Sequence, residues 1–251
     1  MVWLVPGKEI APLVYTIDVA HYKERDGLTS PARAEAVAGR LETIGNLWGD
    51  WRGWWVSGSV NIAWQTQTFP RLPSNLDVVV LAQRGLLQFL IERAREDHLF
   101  LFRRTRSAKW PWQEVKHEKY VPVSLDYFME HHQEEDRNWA FCRVDMDGDP
   151  EAQQSMTTRI RIYPHYEDQR EGLISGEDHM PVDPSFLSSK VLFKTSIGRC
   201  VHGVDLQYLW KVQLRMLGSF RWRRNTKHRR DAVRIRRHLF RQGIDLYGRK
   251  E

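Results

Sequence analysis

The chain is short of cysteine, of long apolar runs and of low-complexity sequence. Its 251 residues include two cysteines, Cys142 and Cys200, and no Cys-x-x-Cys pair. That excludes a disulfide framework and a cysteine-built zinc cluster, so a reducing compartment is expected. There is no run of about 18 apolar residues, so no transmembrane helix and no membrane partner are expected. Residues 1–7 lack the basic and long apolar segments of a secretory leader. The expected location is intracellular and cytoplasmic, with the nucleus left open. No internal repeat is visible. No Ser-His-Asp or Cys-His set can be argued, because spacing along the chain says nothing about proximity.

What is present fits a folded domain, with 41% hydrophobic and 28% charged residues. Eleven tryptophans are many for this length, and Trp51, Trp54 and Trp55 crowd one segment. Charge is uneven. The net is +6, yet from Ser219 onward twelve Lys and Arg face only Asp231, Asp245 and Glu251. The basicity therefore belongs to the C-terminal tail, and the rest of the chain is slightly acidic.

Periodicity supplies the elements. Ser30-Pro31 opens a helix that Ala34, Ala38, Leu41, Ile44 and Leu47 carry to about Trp48. Trp54-Trp55-Val56 is a short strand ending at Ser57-Gly58-Ser59, with a helical stretch at 60–67 and a turn at 70–75. Leu76-Asp77-Val78-Val79-Val80-Leu81 is a buried strand, followed by a helix over 84–96. Strands are expected at 98–103, 139–146 and 156–163, the last two as a hairpin through Asp147-Gly148-Asp149-Pro150. Residues 164–189 read as a long polar loop. Helices over 203–217 and 226–240 close the chain. The expected class is α+β, a small mixed sheet flanked by helices. Residues 1–185 form the α/β domain and 186–251 a helical, basic C-terminal segment.

The stretch from Trp55 to Val80 carries the chemistry. Gly58 lets backbone approach an anion closely. The Ser59 hydroxyl and the amides of the following helix can hold phosphate oxygens. Residues at i and i+2 on a strand share a face, which puts Asn75 and Asp77 together. Gly58-Ser59, then Arg71, then Asn75-Leu76-Asp77 resembles the pattern of the nucleotidyltransferase superfamily, above all its minimal and aminoglycoside-modifying members. Sixteen residues separate Ser59 from Asn75, and Arg71 stands four before it. The run Arg159-Ile160-Arg161-Ile162-Tyr163-Pro164 matches the strand that carries the family's third carboxylate. Lys211 and the segment Lys227-His228-Arg229-Arg230-Asp231 match its C-terminal helices. The resemblance covers roughly residues 32–240, with gaps.

It implies a nucleoside triphosphate as ligand, with Mg²⁺ arriving on the triphosphate. Asp77 and Asn75 take the catalytic positions, and Asp77 is the one carboxylate for metal. Gly58, Ser59, Arg71, Arg161, Lys211 and Lys227 handle the nucleotide. Two of the three expected carboxylates are Asn75 and Arg161. An amide is a weak Mg²⁺ ligand and a guanidinium repels the ion, but Arg161 suits a phosphate. Three readings follow: a nucleotide-binding protein with a degraded metal site, an active transferase moving a nucleoside monophosphate to a hydroxyl acceptor, or a nucleic-acid-binding module. In the last, RNA or another polyanion lies on residues 219–250, where Trp222 and neighbouring cations interleave. If the third strand is misaligned, Asp145 or Asp147 supplies the missing charge.

Other residues carry simpler readings. Asp145-Met146-Asp147-Gly148-Asp149 starts like a calcium loop, but Pro150 and Met156 stand at two of its defining positions, so it reads as a turn. His131-His132 reads as a solvated helix end, and His165 as a surface or core histidine. Lys211 either snorkels from the core edge or reaches a phosphate.

Overall fold

The computed structural model describes residues 13–14, 31–49, 51–69, 75–106, 118–133, 138–143, 159–170, 172–175, 181–183, 187, 191–218 and 226–244. In chain order the elements are β1 (Leu13–Val14), α1 (Pro31–Trp48), β2 (Trp54–Ser57), α2 (Gly58–Thr66), β3 (Leu76–Leu81) and α3 (Arg84–Glu96). Then come β4 (Leu99–Arg106), β5 (Glu118–Pro122), α4 (Leu125–His131), β6 (Asn138–Arg143), β7 (Arg159–Asp168) and β8 (Gly172–Ser175). β9 (Val191–Lys194), β10 (Cys200–Gly203), α5 (Leu206–Gly218) and α6 (Thr226–Arg241) complete the chain. No helix among the described residues is long and apolar enough to cross a membrane.

The ten strands among the described residues join one mixed sheet in the order β1-β9-β10-β2-β3-β7-β6-β4-β5, with β8 added to β7. The α+β class is as expected, but the sheet is larger than the sequence suggests. β2 runs antiparallel to β3, and β3 runs parallel to β7. The hairpin of β6 and β7 is present, with Cys142 opposite Arg159; its connecting residues, Asp145 and Asp147 among them, lie outside the described residues. Residues 164–189 are not a plain loop. β7 continues to Asp168 and turns back into β8, pairing Asp168 with Gly172. Within 186–251 the helices begin only at Leu206, because β9 and β10 lie in the sheet between β1 and β2.

Alternation along the central strands builds two cores and fixes which way Asp77 faces. Leu76, Val78 and Val80 of β3 enter one core with Trp54 and Val56 of β2, Ile160 and Ile162 of β7, and the apolar sides of α1 and α3. Val79 and Trp55 enter the other, with Leu206, Leu209, Ala232, Ile235 and Leu239 of α5 and α6. α2 serves both, sending Val60 and Trp64 to the first and Ile62 to the second. A one-residue slip of β3 would turn Asp77 from the second face into the first core, among Trp54, Val56, Ile160 and Ile162, where its carboxylate has no place. Asp77 is thereby held on the side of the α5–α6 pair.

His131-His132 is not a solvated end. His132 is buried, its Nδ1 lies 2.9 Å from the Met129 carbonyl oxygen, and its ring stacks near Phe128. Burial holds its pKa below the ordinary 6.5, although backbone contacts at Met129 and Phe128 pull the other way. His202 and His238 are also lowered, by burial first and then by Arg52 and Arg241 respectively. The unfolded chain therefore binds protons that the folded chain refuses. Stability is complete above pH about 6.5 and is lost as pH falls from there toward each histidine's lower folded value. The expected result is a denaturation midpoint that drops between pH 7 and pH 5. The drop should be shallower in His132→Gln; an unchanged midpoint over that range would contradict the burial argument.

Candidate functional site

The bend between β2 and α2 is where the sequence pattern acquires geometry. Ser57, the last residue of β2, lies opposite Asp77 of β3. Gly58 follows with φ +62°, in the left-handed region. A Cβ at Gly58 would meet Asp77 Oδ2 at 2.1 Å, Cγ at 2.8 Å and Cβ at 2.9 Å. The Asp77 carboxylate thus lies directly over the bend, at the positive end of α2. Ser59 stands half-buried in the first turn of that helix.

The helix cannot drift, because its far side is tied down. Asn61 Nδ2 donates to the Val204 carbonyl at 2.6 Å. Gln65 Nε2 donates to the same carbonyl at 2.7 Å and to Asn61 Oδ1 at 2.6 Å. Asn61 and Gln65 are both buried. Buried amides with satisfied hydrogen bonds give α2 one position relative to the junction of β10 and α5.

Across from Asp77 on the parallel neighbour stands Arg161. The same row continues through Ala140 of β6 and Phe102 of β4. Ser57, Asp77, Arg161, Ala140 and Phe102 therefore line one face of the sheet, side by side across five strands. Ala140, Phe102, Tyr120 and Cys142 form a small apolar cluster next to Arg161. Tyr163, two residues along β7 from Arg161, brings its hydroxyl to 3.5 Å from Asp77 Oδ1. Burial alone would lower the proton affinity of Arg161. Tyr163, Asp77 and Tyr120 together outweigh it, leaving the guanidinium raised above its ordinary value and permanently charged.

The sequence-derived residues divide accordingly. Gly58, Ser59, Asp77 and Arg161 come together, and Asn75 is half-buried just before β3. Arg71 lies outside the described residues, as does the side chain of Lys227. Lys211 is not brought in. Its Nζ donates to Asp183 at 2.9 Å, an ion pair in which both side chains are largely in solvent. The Val182 amide beside Asp183 bonds to Leu173, which lies opposite Glu167. Glu167 is six residues from Arg161, about 20 Å along the strand. His165 is a core histidine, 3% exposed, with Nε2 at 3.3 Å from Tyr208 Oη of α5. Tyr163 and Tyr120 are the residues that the motif does not single out. The two-residue period from Arg161 finds Tyr163; Tyr120 comes from β5, at the edge of the sheet, and no sequence signal points to it.

A Mg²⁺ site does not fit this donor set. One carboxylate, Asp77, stands beside the Arg161 guanidinium, and no group of three metal-capable side chains occurs among the described residues. A divalent ion about 5 Å from a guanidinium is repelled by roughly 7 kcal/mol at an effective dielectric of about 20.

No family model matches the sequence, and no curated protein matches it. Among solved structures the chain is similar to the crystal structure of the Megavirus polyadenylate synthase, at 11% identity and a TM-score of 0.37. The likeness covers 89% of this chain and 38% of that one, so the chain spans about two fifths of that protein's length.

Proposed function

We propose that this chain has a nucleotidyltransferase-like fold that binds a nucleoside triphosphate at the Gly58-Ser59 bend, with a degraded metal site in which Arg161 stands where a transferase holds its cation. The observation that carries this reading is the register that sets Arg161 beside Asp77, with the Asp77 carboxylate over Gly58. The guanidinium neutralises Asp77 and offers phosphate a bidentate partner. The amides of the first turn of α2 and the Ser59 hydroxyl complete the cradle. Any Mg²⁺ comes with the triphosphate and is not held by the chain.

Calorimetric titration with each NTP, in EDTA and in Mg²⁺, tests this. Binding is expected in EDTA, and Arg161→Ala is expected to weaken it by about tenfold or more, the worth of a charge-assisted bidentate contact. Equal affinity in wild type and Arg161→Ala would remove the guanidinium from the site. The rival reading, an active transferase passing a nucleoside monophosphate to a hydroxyl acceptor, is favoured by the retained Asp77. It predicts pyrophosphate release from an NTP with Mg²⁺ or Mn²⁺, abolished by Asp77→Ala. That outcome would replace the degraded-site reading.

A further inference from the structure

From the composition of α6 and the direction in which it is buried, we infer that its solvent face is a docking surface for single-stranded nucleic acid. Asp231, Ala232, Ile235 and Leu239 of this helix are buried. Arg229, Arg230, Val233, Arg236, Arg237, Phe240 and Arg241 are exposed. At about 100° per residue the exposed set fills a continuous arc of roughly 140°. The one acid of the helix, Asp231, is on the other side, 2% exposed, and accepts from Arg234 at 3.1 Å. Within α6 the arc therefore carries five arginines and no carboxylate. Arg230, Arg237 and Arg241 follow one another down one edge, spanning about 17 Å at the helical rise.

Phe240 distinguishes this face from a merely solvated one. It is 80% exposed, the most exposed of the large apolar side chains described, and sits among Arg236, Arg237 and Arg241. An aromatic ring standing in a row of cations is how a groove tracks a single strand: cations take phosphates, the ring takes an unpaired base. A membrane surface is a poor occupant. The apolar stripe that an interfacial helix inserts into lipid is already buried against Leu206 and Leu209 of α5 and Ile62 of α2. The same packing removes the stripe that a groove-type protein partner would seize.

The full chain, titrated by fluorescence anisotropy against a labelled single-stranded RNA or DNA of about 20 nucleotides, tests this. With four or more arginines engaged, affinity falls about 50-fold between 50 and 200 mM salt. Arg230→Gln combined with Arg237→Gln and Arg241→Gln is expected to reduce the slope of log affinity against log salt by about 2. Phe240→Ala is expected to weaken binding about tenfold at fixed salt with the slope unchanged. These are surface substitutions, and circular dichroism checks that the fold is intact. No binding, or binding whose slope is the same in the triple variant, overturns the proposal. So does a preference for duplex over single strand with Phe240→Ala silent, or sedimentation with anionic vesicles in place of nucleic acid.

Discussion

Replacing Gly58 by alanine is expected to destabilise the protein well beyond the cost of a left-handed residue and to abolish ligand binding at the bend. Two penalties add. At φ +62° a non-glycine residue costs about 1–2 kcal/mol. The new methyl would also lie 2.1 Å from Asp77 Oδ2 and 2.9 Å from Asp77 Cβ. Rotating the carboxylate relieves the first contact and leaves the second, because Cβ is fixed to β3. The strand must shift, and overpacking of this kind adds about 1–3 kcal/mol. Gly172→Ala is the control. Gly172 has φ +78° and nothing within 4 Å of its would-be Cβ, so only the conformational penalty remains. Chemical denaturation of the two variants measures the difference. If Gly58→Ala is no worse than Gly172→Ala, the Asp77 side chain does not lie over the bend and the proposed nucleotide site is lost.

The second large effect is expected in the core that orients this site. Trp48 is fully buried at the end of α1 and meets Trp54 of β2 and Phe141 of β6 edge-on, at 5.7 Å and 5.4 Å. Its indole donates to the Leu90 carbonyl of α3 at 3.1 Å. One side chain thus joins two helices to two strands. Trp48→Ala removes that volume where the surroundings are β-sheet and cannot collapse freely, and about 3–5 kcal/mol of stability should go with it. Trp48→Phe retains an aromatic ring for the edge-on contacts and drops the hydrogen bond, so its loss should be smaller. Equal midpoints for the two variants would mean that the hydrogen bond, not the packed volume, is what matters there.

Much of the scaffold around Asp77 is legible in the chain. The strand at Leu76–Leu81 and the helix at Arg84–Glu96 fall where periodicity puts them, because each has its own run of apolar residues and distinct flanks. The bend at Gly58 is likewise readable, since a glycine between a buried strand and an apolar helix marks a change of direction. β8, β9 and β10 are not readable. Each is four residues long, too short for a period to stand out, and none has the paired tryptophans that mark the equally short β2; β10 pairs with β2 from far along the chain. Pro164 also misleads, since proline argues against a central strand. It is accommodated in β7 because β6 pairs only as far as Ile162 and β8 begins at His165, so that edge of the ladder asks nothing of residue 164.

Lys211 shows the other limit. Its helix was recognisable, but the partner of its amine was not, and Asp183 takes it to the far end of β7.

The amino-acid sequence on its own determined the helices α1, α2, α3, α5 and α6, the strands β2, β3, β4, β6 and β7, the α+β class, the alternation that sets Asp77 apart from Leu76 and Val78, and the arginines of α6, because each follows from short-range periodicity and composition. Only the tertiary structure decided that Arg161 stands beside Asp77, that Tyr163 reaches both, and that the α6 arginines face solvent. Those relations depend on strand register and on which helix faces are buried, and both are set by the shared core and not by any segment alone.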